Sequence, residues 1–171
     1  MKTFLTLLMF GTITQALFGS GDPLEIGATA PDVTALNQDG EPVSLGDLYK
    51  EGTVLVYFYP KADTPGCTKQ ACSLRDDFQA LSDQGVTVVG VSTDSPESQK
   101  KFQAKYNLPF TLMADTDKKI VDAFGVPARA GFASRQAFLI RDGKVVWRDL
   151  SASTAEQAAD VLAALETLAQ S

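Results

Sequence analysis

TVLVYFYPKADTPGCTKQAC, residues 53–72, decides how this chain is read. Thr53 to Tyr59 is a dense run of β-branched and aromatic residues, the composition of a strand buried on both faces. Pro60 ends that strand, because proline has no N–H for the ladder. A helix is predicted from about Pro65 to Gln84, with Thr64 as its N-cap, Pro65 as its first residue and Gly85 as its stop. Cys67 then occupies the third helical position, where a capping box would place a carboxylate. A thiolate there meets unpaired N–H groups and the positive end of the helix dipole. Cys67, Ala71, Leu74, Phe78 and Leu81 fall on one narrow face, so the sulfur points with the core stripe. Apolar surroundings alone would disfavour the anion, so the helix end and a nearby cation must outweigh them.

Outward from this segment the pattern alternates between strand and helix. Pro31 to Ser44 reads as two extended pieces around Asp39–Gly40. Val86 to Ser92 is a second buried strand, and Ser95–Pro96 opens a helix to about Tyr106. Residues 110–113 suggest a short strand. Asp117 to Phe124 reads as a helix closed by Gly125. Gln136 to Ile140 and Lys144 to Arg148 flank the hairpin signal Asp142–Gly143. A last helix is expected from Thr154, paired with Gln157 in a capping box, with Ala158, Val161, Leu162, Leu165 and Leu168 as its apolar stripe. This order predicts an α/β fold with a mixed central sheet covered by helices on both faces.

The chain has 171 residues and is 44% hydrophobic, enough to bury the core of one domain, expected over residues 21–171. A net charge of −6 argues against nucleic acid or an anionic membrane surface as partner. There is no histidine, which excludes Cys–His and Ser–His–Asp sites, and the two cysteines are too few for a zinc site. No phosphate-cradling glycine loop occurs, so no nucleotide cofactor is implied, and nothing in the site chemistry calls for a metal or an organic cofactor. Residues 1–20 read separately. Lys2 precedes an uncharged, largely apolar run from Phe4 to Phe18, followed by small residues, as in a secretory signal peptide cleaved between Ala16 and Gly21. An uncleaved anchor, or an over-extended start with a cytoplasmic product, are the alternatives. Export to the periplasm or beyond would permit a disulfide.

Cys72 follows Cys67 by five residues. On an intact helix their side chains diverge by about 140° and their Cα atoms lie roughly 8–9 Å apart. A disulfide needs Cα atoms within about 7 Å, so the helix must unwind before the two sulfurs can bond. The spacing favours a reversible redox pair over a static staple, which gains more between distant elements. The plainer alternative is that Cys67 is a small core residue and Cys72 an incidental surface one.

The segment resembles the active-site motif of the peroxiredoxins, closest to the subgroup called bacterioferritin comigratory proteins or peroxiredoxin Q. The pattern P-x-x-x-[TS]-x-x-C falls on Pro60, Thr64 and Cys67. Further matches run in order: RDDF at Arg75 to Phe78, VSTDSPES at Val91 to Ser98, LPF at Leu108 to Phe110 and RQAFLIRDGKV at Arg135 to Val145. The similarity extends from about residue 25 to the end. It implies a thioredoxin-like fold and reduction of hydrogen peroxide and alkyl hydroperoxides. By the same resemblance Cys67 is the peroxidatic nucleophile, and Cys72 condenses with its sulfenic acid to form an intramolecular disulfide. Thr64 would position the peroxide, Pro60 would shield the thiolate, and Arg135 would donate to sulfur and peroxide oxygen. A thioredoxin- or glutaredoxin-like electron donor and a monomeric state are implied as well. Many relatives carry glutamate where this chain has Gln70.

Each assignment has a plainer rival. Pro60 serves equally as a strand terminator and Thr64 as a helix cap, and Arg129 competes with Arg135. A thiol–disulfide carrier would use C-x-x-C, which is absent. An exported binding domain stabilised by its cysteine pair is the remaining alternative.

Overall fold

The fold follows from how the central strand buries both of its faces. The computed structural model describes residues 21–170. Its first elements are β1 (Thr34–Asn37), β2 (Pro42–Ser44), α1 (Leu45–Glu51), β3 (Thr53–Phe58), α2 (Pro65–Asp76) and α3 (Phe78–Asp83). Next come β4 (Val86–Ser92), α4 (Pro96–Tyr106), β5 (Thr111–Ala114) and α5 (Lys119–Ala123). The chain closes with β6 (Ala128–Arg129), β7 (Phe132–Ala133), β8 (Gln136–Arg141), β9 (Lys144–Asp149) and α6 (Gln157–Ala169).

Seven strands form one sheet in the order β2-β1-β5-β4-β3-β8-β9, and β6 and β7 pair separately. β3 runs parallel to β4, and β4 to β5, while β8 lies antiparallel to β3. The sheet is therefore mixed, as the sequence predicts. Successive residues of β3 face opposite sides. Leu55 and Tyr57, with Tyr59 just beyond, enter a core covered by α2, α3, α4 and α6. Val54, Val56 and Phe58 enter a second core with Leu45 and Tyr49 of α1 and Ile120 and Val121 of α5. Each such fully buried large side chain contributes about 1.5–3 kcal/mol.

Three local expectations change. The helix after Pro60 is two helices: the chain turns at Asp77, whose side chain makes no capping bond, so packing rather than a local signal sets the break. The stripe survives the break: Cys67, Ala71, Leu74 and Leu81 are buried, with Phe78 packed at the margin. The last helix starts at Gln157 rather than Thr154, and the capping box does not form. The Ser153 hydroxyl takes the backbone N–H groups of Ala155 and Glu156 at 3.2 and 3.0 Å, while Gln157 turns inward. α1 and the β6–β7 hairpin have no counterpart in the sequence reading; both are too short for a periodic signal. The signal segment expected at residues 1–20 lies outside the described residues. Among the described residues no helix is long and apolar enough to cross a membrane.

Candidate active site

The site forms where β3 runs out and α2 begins. Tyr59 still pairs with the sheet, donating to the Val91 carbonyl at 3.1 Å, and Pro60 then stops the ladder. The loop to Thr64 is fastened from outside. The Asp94 carboxylate accepts the Ala62 N–H at 2.8 Å and is itself held by the Ser92 hydroxyl at 2.7 Å. Asp63 sits at φ +58°, a left-handed conformation uncommon for a residue with a side chain. Its carboxylate takes Lys105 Nζ at 2.8 Å and the Tyr106 hydroxyl at 2.6 Å, which hold the acid below its ordinary range.

Thr64 is the N-cap by backbone geometry, with φ −90° and ψ 154°, but its side chain does not cap. Its hydroxyl donates to the Lys61 carbonyl at 2.9 Å. The first intrahelical bond is Thr68 N–H to Thr64 O at 2.8 Å. Before it, the N–H groups of the opening turn have no helical partner, which favours negative charge on a sulfur at this end. Cys67 follows in that turn and is only 2% exposed, among Tyr57, Tyr59 and Ala62. Burial pushes both tyrosines well up and keeps them neutral phenols.

The cation the sequence argument required is Arg135. Its Nη2 donates to Cys67 Sγ at 3.4 Å, and its Nη1 donates to Gln70 Oε1. The competing Arg129 lies exposed on β6. Arg135 is placed by its position immediately before β8, the strand paired with β3, and by the Ala152 N–H bonded to its carbonyl at 3.3 Å. Gly66 makes room for it: a Cβ there would sit 3.2 Å from Arg135 Nη2. Cys72 is half-buried on the same unbroken helix, and both thiols are free. Pro60 is half-buried where the loop begins.

Sequence reasoning missed Gly66, Asp94 and Gln157. Asp94 lies within the VSTDSPES match, which was the available signal. Gln157 gave none, because its partner Gln70 is distant in the chain; Gln70 Nε2 donates to Gln157 Oε1 at 2.9 Å. No cluster of His, Cys, Asp or Glu able to hold a metal occurs among the described residues.

Known proteins resemble this chain in sequence and in fold. The model of the AhpC/TSA family matches residues 26–148. Peroxiredoxin Bcp of Escherichia coli is 46% identical over 132 residues, covering 72% of this chain and 84% of that protein. Chloroplastic peroxiredoxin Q of Sedum lineare is 50% identical over 102 residues, 60% of this chain and 54% of the relative. Among solved structures, the Xanthomonas campestris bacterioferritin comigratory protein superposes with a TM-score of 0.77 at 30% identity, covering 86% of this chain and 99% of that one. The peroxidoxin BcpB of Mycobacterium tuberculosis gives 0.79 at 33% identity, over 84% and 97%. A family match across most of the described chain, and a relative aligned over most of its own length, show that the chain belongs to the AhpC/TSA family, among the thiol-dependent peroxidases of the Bcp and peroxiredoxin Q type.

Proposed function

We propose that Cys67 is the sulfur oxidised by peroxide and Cys72 the sulfur that resolves it. The observation carrying this reading is the 3.4 Å contact from Arg135 Nη2 to Cys67 Sγ, in the first turn of a helix that also bears Cys72. The Cys67 thiolate attacks one peroxide oxygen. The O–O bond breaks, two electrons pass from sulfur to oxygen, and the departing alkoxide or hydroxide takes a proton to leave as alcohol or water. Cys67 is left as a sulfenic acid. Arg135, always charged and rigid in its fork, stabilises the charge that develops on the departing oxygen. The proton of Thr64 is committed to the Lys61 carbonyl, so its oxygen accepts from the peroxide O–H and orients it. Pro60 roofs the sulfur against water. Cys72 then attacks Cys67 Sγ as its S–O bond breaks, and water leaves with the disulfide formed.

A thioredoxin- or glutaredoxin-like dithiol returns the enzyme to its reduced form. The Xanthomonas campestris relative is described by its alkyl peroxide reduction activity, and we extend alkyl hydroperoxides, with hydrogen peroxide, to this chain. We further propose a monomer, and an exported enzyme on the strength of Lys2 and the apolar run after it. Light scattering of the purified protein tests the first, and cell fractionation the second.

Cys67→Ser is expected to abolish peroxide turnover. Cys72→Ser retains one oxidation event and accumulates sulfenic acid, unless an added thiol rescues it. Peroxide consumption with mass spectrometry of the products checks both. Wild-type turnover by Cys67→Ser would remove the proposed mechanism.

A further inference from the structure

Gln70 and Gln157 are both fully buried polar side chains, one in α2 and one at the start of α6. Their amides are oriented by Arg135. A guanidinium only donates, so Gln70 must present its oxygen to Arg135 and its NH2 to Gln157. Gln157 must then present its oxygen, which leaves its own Nε2 buried without an acceptor among the described residues. A line of hydrogen bonds thus runs from α6 through α2 and Arg135 to the sulfur of Cys67. Gln70 lies between Cys67 and Cys72, within the stretch that must unwind for the two to bond.

We propose that Gln157 is a positioning residue: through Gln70 it holds α2 wound with Arg135 on Cys67, and so sets how fast α2 releases for disulfide formation. This rests on the resolving role of Cys72 proposed above. Unwinding carries Gln70 away from both partners at once. The latch is a loose one, because two neutral amides complete one good bond and strand a donor. A carboxylate at position 70 would tighten it. It would accept from Arg135 and, once the Gln157 amide turned over, from the stranded NH2 as well.

The test is the first-order rate of disulfide formation after a single hydrogen peroxide mixing, followed by quenched-flow mass spectrometry on the full chain. Gln157→Met keeps the side chain's size but strands the Gln70 amide in the wound helix; the rate should rise about fivefold, the value of one lost hydrogen bond. Gln70→Glu should slow it about fivefold or more. Adding Gln157→Met to Gln70→Glu should cancel most of that slowing. Changes in opposite directions are not expected of general loosening, which speeds release in every variant. An unaltered rate in both single variants would overturn the inference, as would equal acceleration in both. If Gln157→Met does not fold, Gln157→Asn, whose shorter amide falls out of reach of Gln70, takes its place and should likewise raise the rate. Absence of a Cys67–Cys72 disulfide in the wild type would instead strike at the resolving role of Cys72.

Discussion

Arg135 carries two duties that a lysine could not share. Its two terminal nitrogens reach different acceptors, Cys67 Sγ and Gln70 Oε1, and only a planar fork spans both. Arg135→Met should therefore lower kcat/KM for hydrogen peroxide by about 100- to 1000-fold, the range for losing a donor to developing negative charge. Arg135→Lys retains charge but loses one arm, and should cost about 10- to 100-fold, as for a hydrogen bond to a charged group. Stopped-flow oxidation monitored through Trp147, half-buried against the α2-side core, measures both. Equal losses in the two variants would mean that geometry, not charge, is what Arg135 supplies. The helix-mouth position of Cys67 and its spacing to Cys72 were legible in the sequence, because both are local properties, while the roles given to them rested on resemblance. The choice of Arg135 over Arg129 rested there on resemblance; what separates them physically is that one precedes a central strand and the other sits on an exposed hairpin.

α2 must be stable enough to build the peroxide site and weak enough to come apart. Lys69 lies on its exposed face, between the two cysteines, and offers a clean probe. Glycine and alanine at an exposed helix position differ by about 1 kcal/mol in helix stability. Lys69→Gly should thus form the Cys67–Cys72 disulfide about fivefold faster than Lys69→Ala, with initial oxidation of Cys67 changed far less. Rapid-quench thiol counting distinguishes the two steps. Equal disulfide rates would mean that α2 does not unwind between the cysteines. The sequence placed the start of this helix correctly, since Thr64–Pro65 is a strong local signal. It did not place the turn at Asp77 or the start of α6, where the alternatives differ little in local energy and packing decides.

The sheet holds the site by bringing β3 and β8 side by side, so the helix mouth after β3 faces the arginine before β8. Asp115, beyond β5, anchors α5 on the far face by accepting the N–H groups of Ile120 and Val121 at 3.1 and 2.8 Å. Burial nonetheless raises its pKa, with the two N–H groups opposing. The folded state then binds this proton more tightly than the unfolded one, so the contribution is favourable at low pH and is lost as pH rises through the folded value. Urea titrations of wild type and Asp115→Asn should show the wild type gaining stability relative to the variant as pH falls from 7 towards 4. A constant difference would exclude a raised pKa. By itself the sequence determined the buried strand, the helix mouth, the cysteine spacing and an alternation that allows only a sheet between helix layers, because periodicity and end signals are written in neighbouring residues. Only the tertiary structure decided which arginine reaches the sulfur, what fastens the loop after Pro60, and that Gln157 meets Gln70. Those are contacts between residues far apart in the chain, fixed by strand order and side-chain packing.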